Sequence, residues 1–320
     1  MDSPTFPLRI PLQGETLQGK ESPTMKRTPI KLFLLVLVAG ICGPATAQIV
    51  MNSSTEYWAA IMYPNNNIPD PFSDQQTGSY EADMVGDVNH AAFYTDFDDG
   101  GTPSLTDGYL GFRFRLAGEK NPAGYSTAAL VGLDVDLDGA LDIFVGVNNS
   151  GSKDQVGIWY AGDGANTSPN TTSIDSHNPY WTAKTASTNY DWSALSTAID
   201  PDALTLDVNS DNNTDYFLSF SVPLSVMVGA LDAVNISNIT ENSAMSYVTL
   251  TSVQGNAFNQ DLGGVDGGNN SEQTWEVLGG VSNVTSPNGT IPEPATLSML
   301  GIAVTAGYLL RKRLFLYSRI

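Results

Sequence analysis

The stretch Leu133–Val145, LDVDLDGALDIFV, places carboxylates at a spacing that metal chemistry can use. Asp134, Asp136 and Asp138 stand at alternate positions, Gly139 follows, and Asp142 is ninth counting from Asp134. Calcium takes roughly six to eight oxygen ligands at about 2.3–2.6 Å. Carboxylates at positions one, three and five of a tight loop can point inward together. Glycine at position six allows the sharp turn, and a backbone carbonyl near position seven with Asp142 would complete the shell. Clustered carboxylates without a cation repel one another, which favours an ion. The competing explanation is an Asp-rich turn ahead of a strand.

A second copy follows in Leu206–Phe220, LDVNSDNNTDYFLSF. Asp207, Asn209, Asp211 and Asp215 occupy positions one, three, five and nine, and Asn212 replaces the glycine. Asn tolerates left-handed backbone better than most residues. Position twelve of the first loop is Val145, where an EF-hand has Glu, so neither that ligand nor the following helix is expected. The DxDxDG loop running into an apolar strand resembles the loops of FG-GAP and similar extracellular β repeats. That resemblance implies a structural calcium ion in an exported all-β domain. Two copies are a weak internal duplication and too few for a propeller.

Other constellations are weaker. Trp159, Tyr160, Trp181 and Trp192 could stack on sugar rings, with Asp163 and Asn166 nearby in sequence, although tryptophan in a β-sandwich is more often core. The adjacent Asp98 and Asp99 fit a solvated turn better than a pair of glycosidase carboxylates, because neighbours in a strand face opposite ways. His90 and His177 show no ligand spacing, and no GxSxG elbow, P-loop or Rossmann fingerprint occurs. The expectation is therefore a non-enzymatic protein.

Elements that would position these loops read as strands. Tyr109–Leu116, Asp142–Val147, Val156–Tyr160, Tyr216–Val222, Ser246–Thr251 and Thr274–Leu278 are short, rich in β-branched and aromatic residues, and bounded by Gly, Asn, Asp or Pro. Only Ser193–Ile199 and Val222–Val228 suggest short helices. The expected fold is all-β, an antiparallel β-sandwich of jelly-roll-like type over residues 48–278, with a polar linker at 279–291. Between Gln48 and Thr290 there are thirty acids against five bases, a net charge of −25, and twenty-four of the acids are Asp. Asp favours turns and metal loops over helix faces. Such a surface repels nucleic acid, which is set aside as a partner. Ten Asn-x-Ser/Thr sequons in this stretch are read as an Asn-, Ser- and Thr-rich surface.

The two ends carry addresses. Lys26 and Arg27, the apolar run Leu32–Ile41 and the small residues Ala45-Thr46-Ala47 form a secretory signal peptide, residues 25–47, headed by Met25. Residues 1–24 are expected to be an upstream extension outside the native protein. Cys42, the sole cysteine, leaves with the signal, so no disulfide can brace the exported chain. At the other end, Pro292-Glu293-Pro294 precedes the uncharged run Ala295–Leu310 and the basic cluster Arg311-Lys312-Arg313. This run is expected to form a transmembrane helix with the bases on the cytoplasmic side. The tail, residues 292–320, resembles the PEP-CTERM sorting signal, although seven residues follow the bases, longer than such tails usually are. The resemblance implies an exosortase as partner, alongside the Sec translocon and signal peptidase. It implies delivery to the envelope or extracellular matrix of a Gram-negative-type bacterium, with transient inner-membrane anchoring and extracellular polysaccharide as a further partner. The expectation is a calcium-stabilised structural or adhesive surface protein. A calcium-dependent, lectin-like carbohydrate-binding module is the alternative, and a glycan-active enzyme a more distant one.

Overall fold

Period-two alternation in Tyr109–Leu116 sends Leu110, Phe112, Phe114 and Leu116 to one face and Arg113 and Arg115 to the other. Both sets are buried, so the strand is covered on its two sides. A computed structural model describes residues 49–63, 70–120, 124–174, 178–184, 189–201, 205–254, 258, 260–267 and 272–289, which lie in one compact unit. The strands are β1 (Ala59–Ile61), β2 (Phe93–Asp98), β3 (Tyr109–Leu116), β4 (Ala128–Asp134), β5 (Ile143–Asn148) and β6 (Gln155–Tyr160). They continue with β7 (Trp181–Lys184), β8 (Tyr190–Ala194), β9 (Tyr216–Pro223), β10 (Ser246–Ser252) and β11 (Asp261–Leu262). Two helices, α1 (Leu224–Ala233) and α2 (Trp275–Leu278), complete the described elements apart from single 3-10 turns.

All pairings between these strands are antiparallel. One sheet runs β1-β2-β3-β9-β8 and the other β11-β10-β4-β5-β6-β7. The chain therefore makes a three-strand meander, crosses to a four-strand meander, returns for β8 and β9, and crosses again for β10. This order departs from the jelly-roll expectation, because consecutive strands stay beside one another in long runs and do not wrap as an eight-strand double Greek key. The β-sandwich itself stands.

The core between the sheets takes Phe93, Phe112, Phe114 and Phe220 from one side and Val131, Val145, Ile158 and Tyr247 from the other. Outside the second sheet, Leu130, Phe144, Trp159 and Leu250 lie beneath Leu141, Phe258, Leu262 and Trp275. Strands buried on two faces lose their alternation, which is why Ala128–Asp134 and Ser246–Ser252 are buried at every position. Outside the first sheet, Arg113 lies between the rings of Trp58 and Phe217, 4.1 and 4.9 Å from their centroids. Its Nε donates to Ser219 Oγ and its Nη2 to the carbonyls of Met51 and Ser53, which pins the segment from Ile49 to Trp58 onto the sheet.

Three local expectations are corrected. Thr274–Leu278 is not a strand. Trp275–Leu278 forms α2, where Thr274 Oγ1 accepts the Val277 N–H and Gly279 closes the end at φ +85°. Ser193–Ile199 is no helix: β8 holds Ser193 and Ala194, and the Ser196 carbonyl accepts the N–H groups of Ile199 and Asp200 in a turn. Residues 279–289 are not a loose linker. Met245 and Thr285 exchange backbone bonds, Ser282 N–H donates to the Tyr247 carbonyl, and Asn283 N–H donates to Met62. Val222–Val228 is partly met, since α1 starts at Leu224 behind Pro223, whose fixed φ suits a helix entry. No helix among the described residues is long and apolar enough to cross a membrane, and residues 291–320, with the expected span, lie outside them.

Candidate metal centres

The first aspartate loop is the connection between β4 and β5. Asp134 is buried at the end of β4, and Asp136 and Asp138 are exposed. One carboxylate oxygen from each lies within 4.8 Å of the other two. The backbone is wound so that carboxylates accept from it: Gly139 N–H donates to Asp134 Oδ2 at 3.0 Å, Asp138 N–H to Asp136 Oδ1 at 3.2 Å, and Ala140 N–H to Asp138 Oδ1 at 2.8 Å. Asp134 Oδ1 is buried with no hydrogen-bond partner. Leu137 and Gly139 both have left-handed backbone, at φ +60° and +89°. A Cβ at Gly139 would meet only Glu276 Oε1 at 4.0 Å, so conformation, not room, selects the glycine.

Asp142 sits one step before β5, and its Oδ2 accepts the Val135 N–H at 2.7 Å. Burial raises its pKa to about 7, and the neighbouring charges of Asp136, Asp134 and Asp138 add to the rise. Burial also raises Asp134, with Asp138 and Asp136 contributing. No basic side chain acts on either group among the described residues.

The second loop joins β8 to β9 and repeats this scheme. Asn212 N–H donates to Asp207 Oδ2 at 2.8 Å, Asp211 N–H to Asn209 Oδ1 at 3.3 Å, and Asn213 N–H to Asp211 Oδ1 at 2.7 Å. Val208 N–H donates to Asp215 Oδ2 at 3.1 Å. Ser210 and Asn212 take the two left-handed positions, at φ +58° and +71°. The ninth position is where the loops part. Asp215 Oδ2 receives Arg115 Nε at 2.8 Å and Nη2 at 2.7 Å, with both side chains fully buried. Burial raises the Asp215 pKa and Arg115 opposes it. The side chains of Asp207, Asn209 and Asp211 accept backbone N–H groups, while the carboxylate at the ninth position already has a cationic partner.

No known protein family, curated protein or solved structure matches the chain.

The aromatic residues are not gathered on one face. Trp159 is fully buried in the outer layer of the second sheet, whereas Tyr160, next along β6, turns to the other side and meets the ring of Tyr180 at 5.5 Å. Trp181 is half-buried on β7, and Trp192 on β8 of the other sheet stacks on Tyr216 at 4.7 Å. Asn166 is buried and structural: its Oδ1 accepts Ser173 N–H and its Nδ2 donates to the Gly162 carbonyl. Asp98 and Asp99 cap a turn by accepting from Gly100 and Gly101. They line an open cleft of about 790 Å³ with Asp96, Glu241 and Tyr57, and none of the four predicted aromatic residues reaches it. The sorting residues Pro292, Glu293, Pro294, Arg311, Lys312 and Arg313 lie outside the described residues.

One acidic group escaped sequence reasoning. Asp70, Asp74 and Asp261 each bring a carboxylate oxygen within 4.8 Å of the other two. Asp70 and Asp74 alone look like loop residues, and Asp261 lies 191 positions after Asp70. The only local signal is the run NQDLGG, whose glycines Gly263 and Gly264 leave no room for a Cβ against Tyr63.

Proposed function

We propose that this chain is an exported cell-surface or matrix protein whose β-sandwich is braced by calcium and whose role is structural or adhesive. The convergence of Asp134, Asp136 and Asp138 on one point, with an unpartnered buried oxygen on Asp134, carries the metal part of this reading. Calcium is the ion that suits flexible, all-oxygen loops. In a chain that exports no cysteine, an ion is an available clip for a long hairpin connection. The delivery part rests on the terminal signals: a signal peptide, Pro292-Glu293-Pro294, an apolar run and Arg311-Lys312-Arg313. An exosortase-type enzyme would process the tail near the PEP motif, leaving the sandwich in the envelope or the polysaccharide matrix.

The deciding experiment is a thermal melt of the full chain with calcium and then with a chelator. A calcium-dependent rise in melting temperature that Asp134→Asn and Asp138→Asn abolish supports the reading, and an unchanged melt removes the loop as a metal site. Mass spectrometry of the mature C-terminus in an exosortase-bearing host tests the delivery part: an intact tail through Ile320 would sink it. Carbohydrate binding is the second reading. It is favoured by the partly exposed Tyr160–Tyr180 pair, and it is tested by glycan binding of Tyr180→Ala.

A further inference from the structure

A second acidic centre, built from residues far apart in sequence, lies where the segment 70–84 crosses the 260–267 turn. Asp70 is fully buried: its Oδ1 accepts the Gly264 N–H at 2.7 Å and its Oδ2 has no partner. Asp261 is buried beside it, accepting Met84 N–H at 2.5 Å and Leu262 N–H at 2.7 Å. Asp74 Oδ2 accepts Gly267 N–H at 3.0 Å while its Oδ1 is sealed and unpartnered. Asp83 adjoins the group, accepting Ser73 N–H, and its charge acts on Asp70 and Asp261.

Two fully buried carboxylates, Asp70 and Asp261, thus meet the half-buried Asp74 with Asp83 beside them, and the charges acting on each of the four come from acids alone. The three ion pairs among the described residues are elsewhere: His90 with Asp87, and Arg115 with both Asp215 and Asp200. Burying like charges without a counter-charge is costly, and a group so placed either takes up protons or takes up a cation. A proton satisfies one oxygen, whereas a divalent ion is drawn by several carboxylates at once and can use the unpartnered oxygens of Asp70 and Asp74 together. We infer that Asp70, Asp74 and Asp261 bind a calcium-sized divalent cation, independent of the two aspartate loops, and that this ion fastens the 70–84 segment to the edge strand β11. Direct bonds already align the two segments: Gln76 N–H donates to the Gln260 carbonyl at 2.8 Å and Thr77 Oγ1 to Gln260 Oε1 at 2.5 Å.

Calcium stoichiometry measured by equilibrium dialysis of the full chain at pH 7.5 tests this. Asp70→Asn and Asp74→Asn each bind one calcium fewer than the wild type, while Asp136→Asn/Asp138→Asn keeps this ion. Should Asp70→Asn fail to fold, Asp74→Asn still decides, because Asp74 is only half-buried and its loss leaves Asp70 and Asp261 in place. With the chelator present, Asp74→Asn melts no lower than the wild type, since it removes a repelled charge. An unchanged stoichiometry in Asp74→Asn overturns the site even if the loops bind calcium. Loss of one ion in Asp74→Asn with none lost in the loop variant keeps the site and removes the loop reading instead.

Discussion

Two loops of this protein have nearly the same backbone and opposite electrostatics. In Asp134–Asp142 and in Asp207–Asp215 the same positions donate N–H groups to the same carboxylates, and the fourth and sixth residues are left-handed in both. Yet Asp142 faces three acids and no base, whereas Asp215 holds a buried arginine. The difference comes from what lies across the sheet. Arg115 is on β3, whose neighbour β9 follows the second loop directly, with Leu116 opposite Tyr216. The first loop's strand β5 lies between β4 and β6, which offer no base at that end. Shared loop geometry is thus a local property of the Asp/Asn/Gly pattern, while the counter-charge is a property of the sheet.

The largest expected effect breaks the second loop. Arg115→Met strands Asp215 as a buried charge and destabilises by about 3–5 kcal/mol, read as a lower midpoint in urea denaturation. Asp142→Asn in the first loop removes a charge that lacks a partner and leaves the midpoint in chelator unchanged or higher. If both variants lost several kcal/mol, the contrast between the loops would be false.

Next in size is the calcium response. At a free calcium concentration of about a hundred times the dissociation constant, one site adds about 2.7 kcal/mol. Calorimetric melts are expected to show that gain in the wild type, and to show the first-loop share lost in Asp138→Asn. Asp211→Asn, in the loop that already owns Arg115, is expected to lose less.

The pH dependence sharpens the same point. The Asp142 pKa is raised to about 7 from an unfolded value near 4. Its native state holds a proton that the unfolded state gives up, so its contribution is complete below about pH 4 and is lost as pH rises through about 7. Calcium-free stability is therefore expected to fall across that window, and Asp142→Asn to flatten the fall. A slope that survives the substitution unaltered assigns the effect to other acids.

The smallest effect concerns the turn itself. Gly139→Ala forces a side chain into left-handed backbone and costs about 1 kcal/mol. Gly139→Asn copies what Asn212 does in the second loop and is expected to cost only a few tenths. Equal losses for the two substitutions would mean that the loop needs glycine for some reason other than φ.

The strands with clear alternation or aromatic content, β3, β5, β6, β9 and β10, were legible within a residue or two. β4 was not, because AALVGLD is buried on both faces and shows no period. Thr274–Leu278 misled because Trp, Val and Leu suit a strand in isolation. Thr274 as a cap and Gly279 behind it decide for one helical turn that lids the outer layer with Trp275. The first acidic loop could be read because its aspartates fall within nine residues of one another. The Asp70–Asp74–Asp261 group could not, since only the pairing of β11 with β10 brings Asp261 into place. Trp159 and Tyr160 show the limit of residue type as a guide: adjacent on one strand, they serve opposite faces.

The docking of residues 279–289 sets how far the sandwich can stand from anything that holds its tail. A free chain from Leu278 to Ala295 could stretch about 60 Å, but the six steps left after Gly289 span only about 20 Å. Were the tail held at that run as proposed, the sandwich would be carried close against its support, with little room to swing. A pull on the tail is met first by the backbone bonds of Thr285 to Met245 and of Ser282 to Tyr247, so load enters the second sheet at β10 and not through a slack spacer.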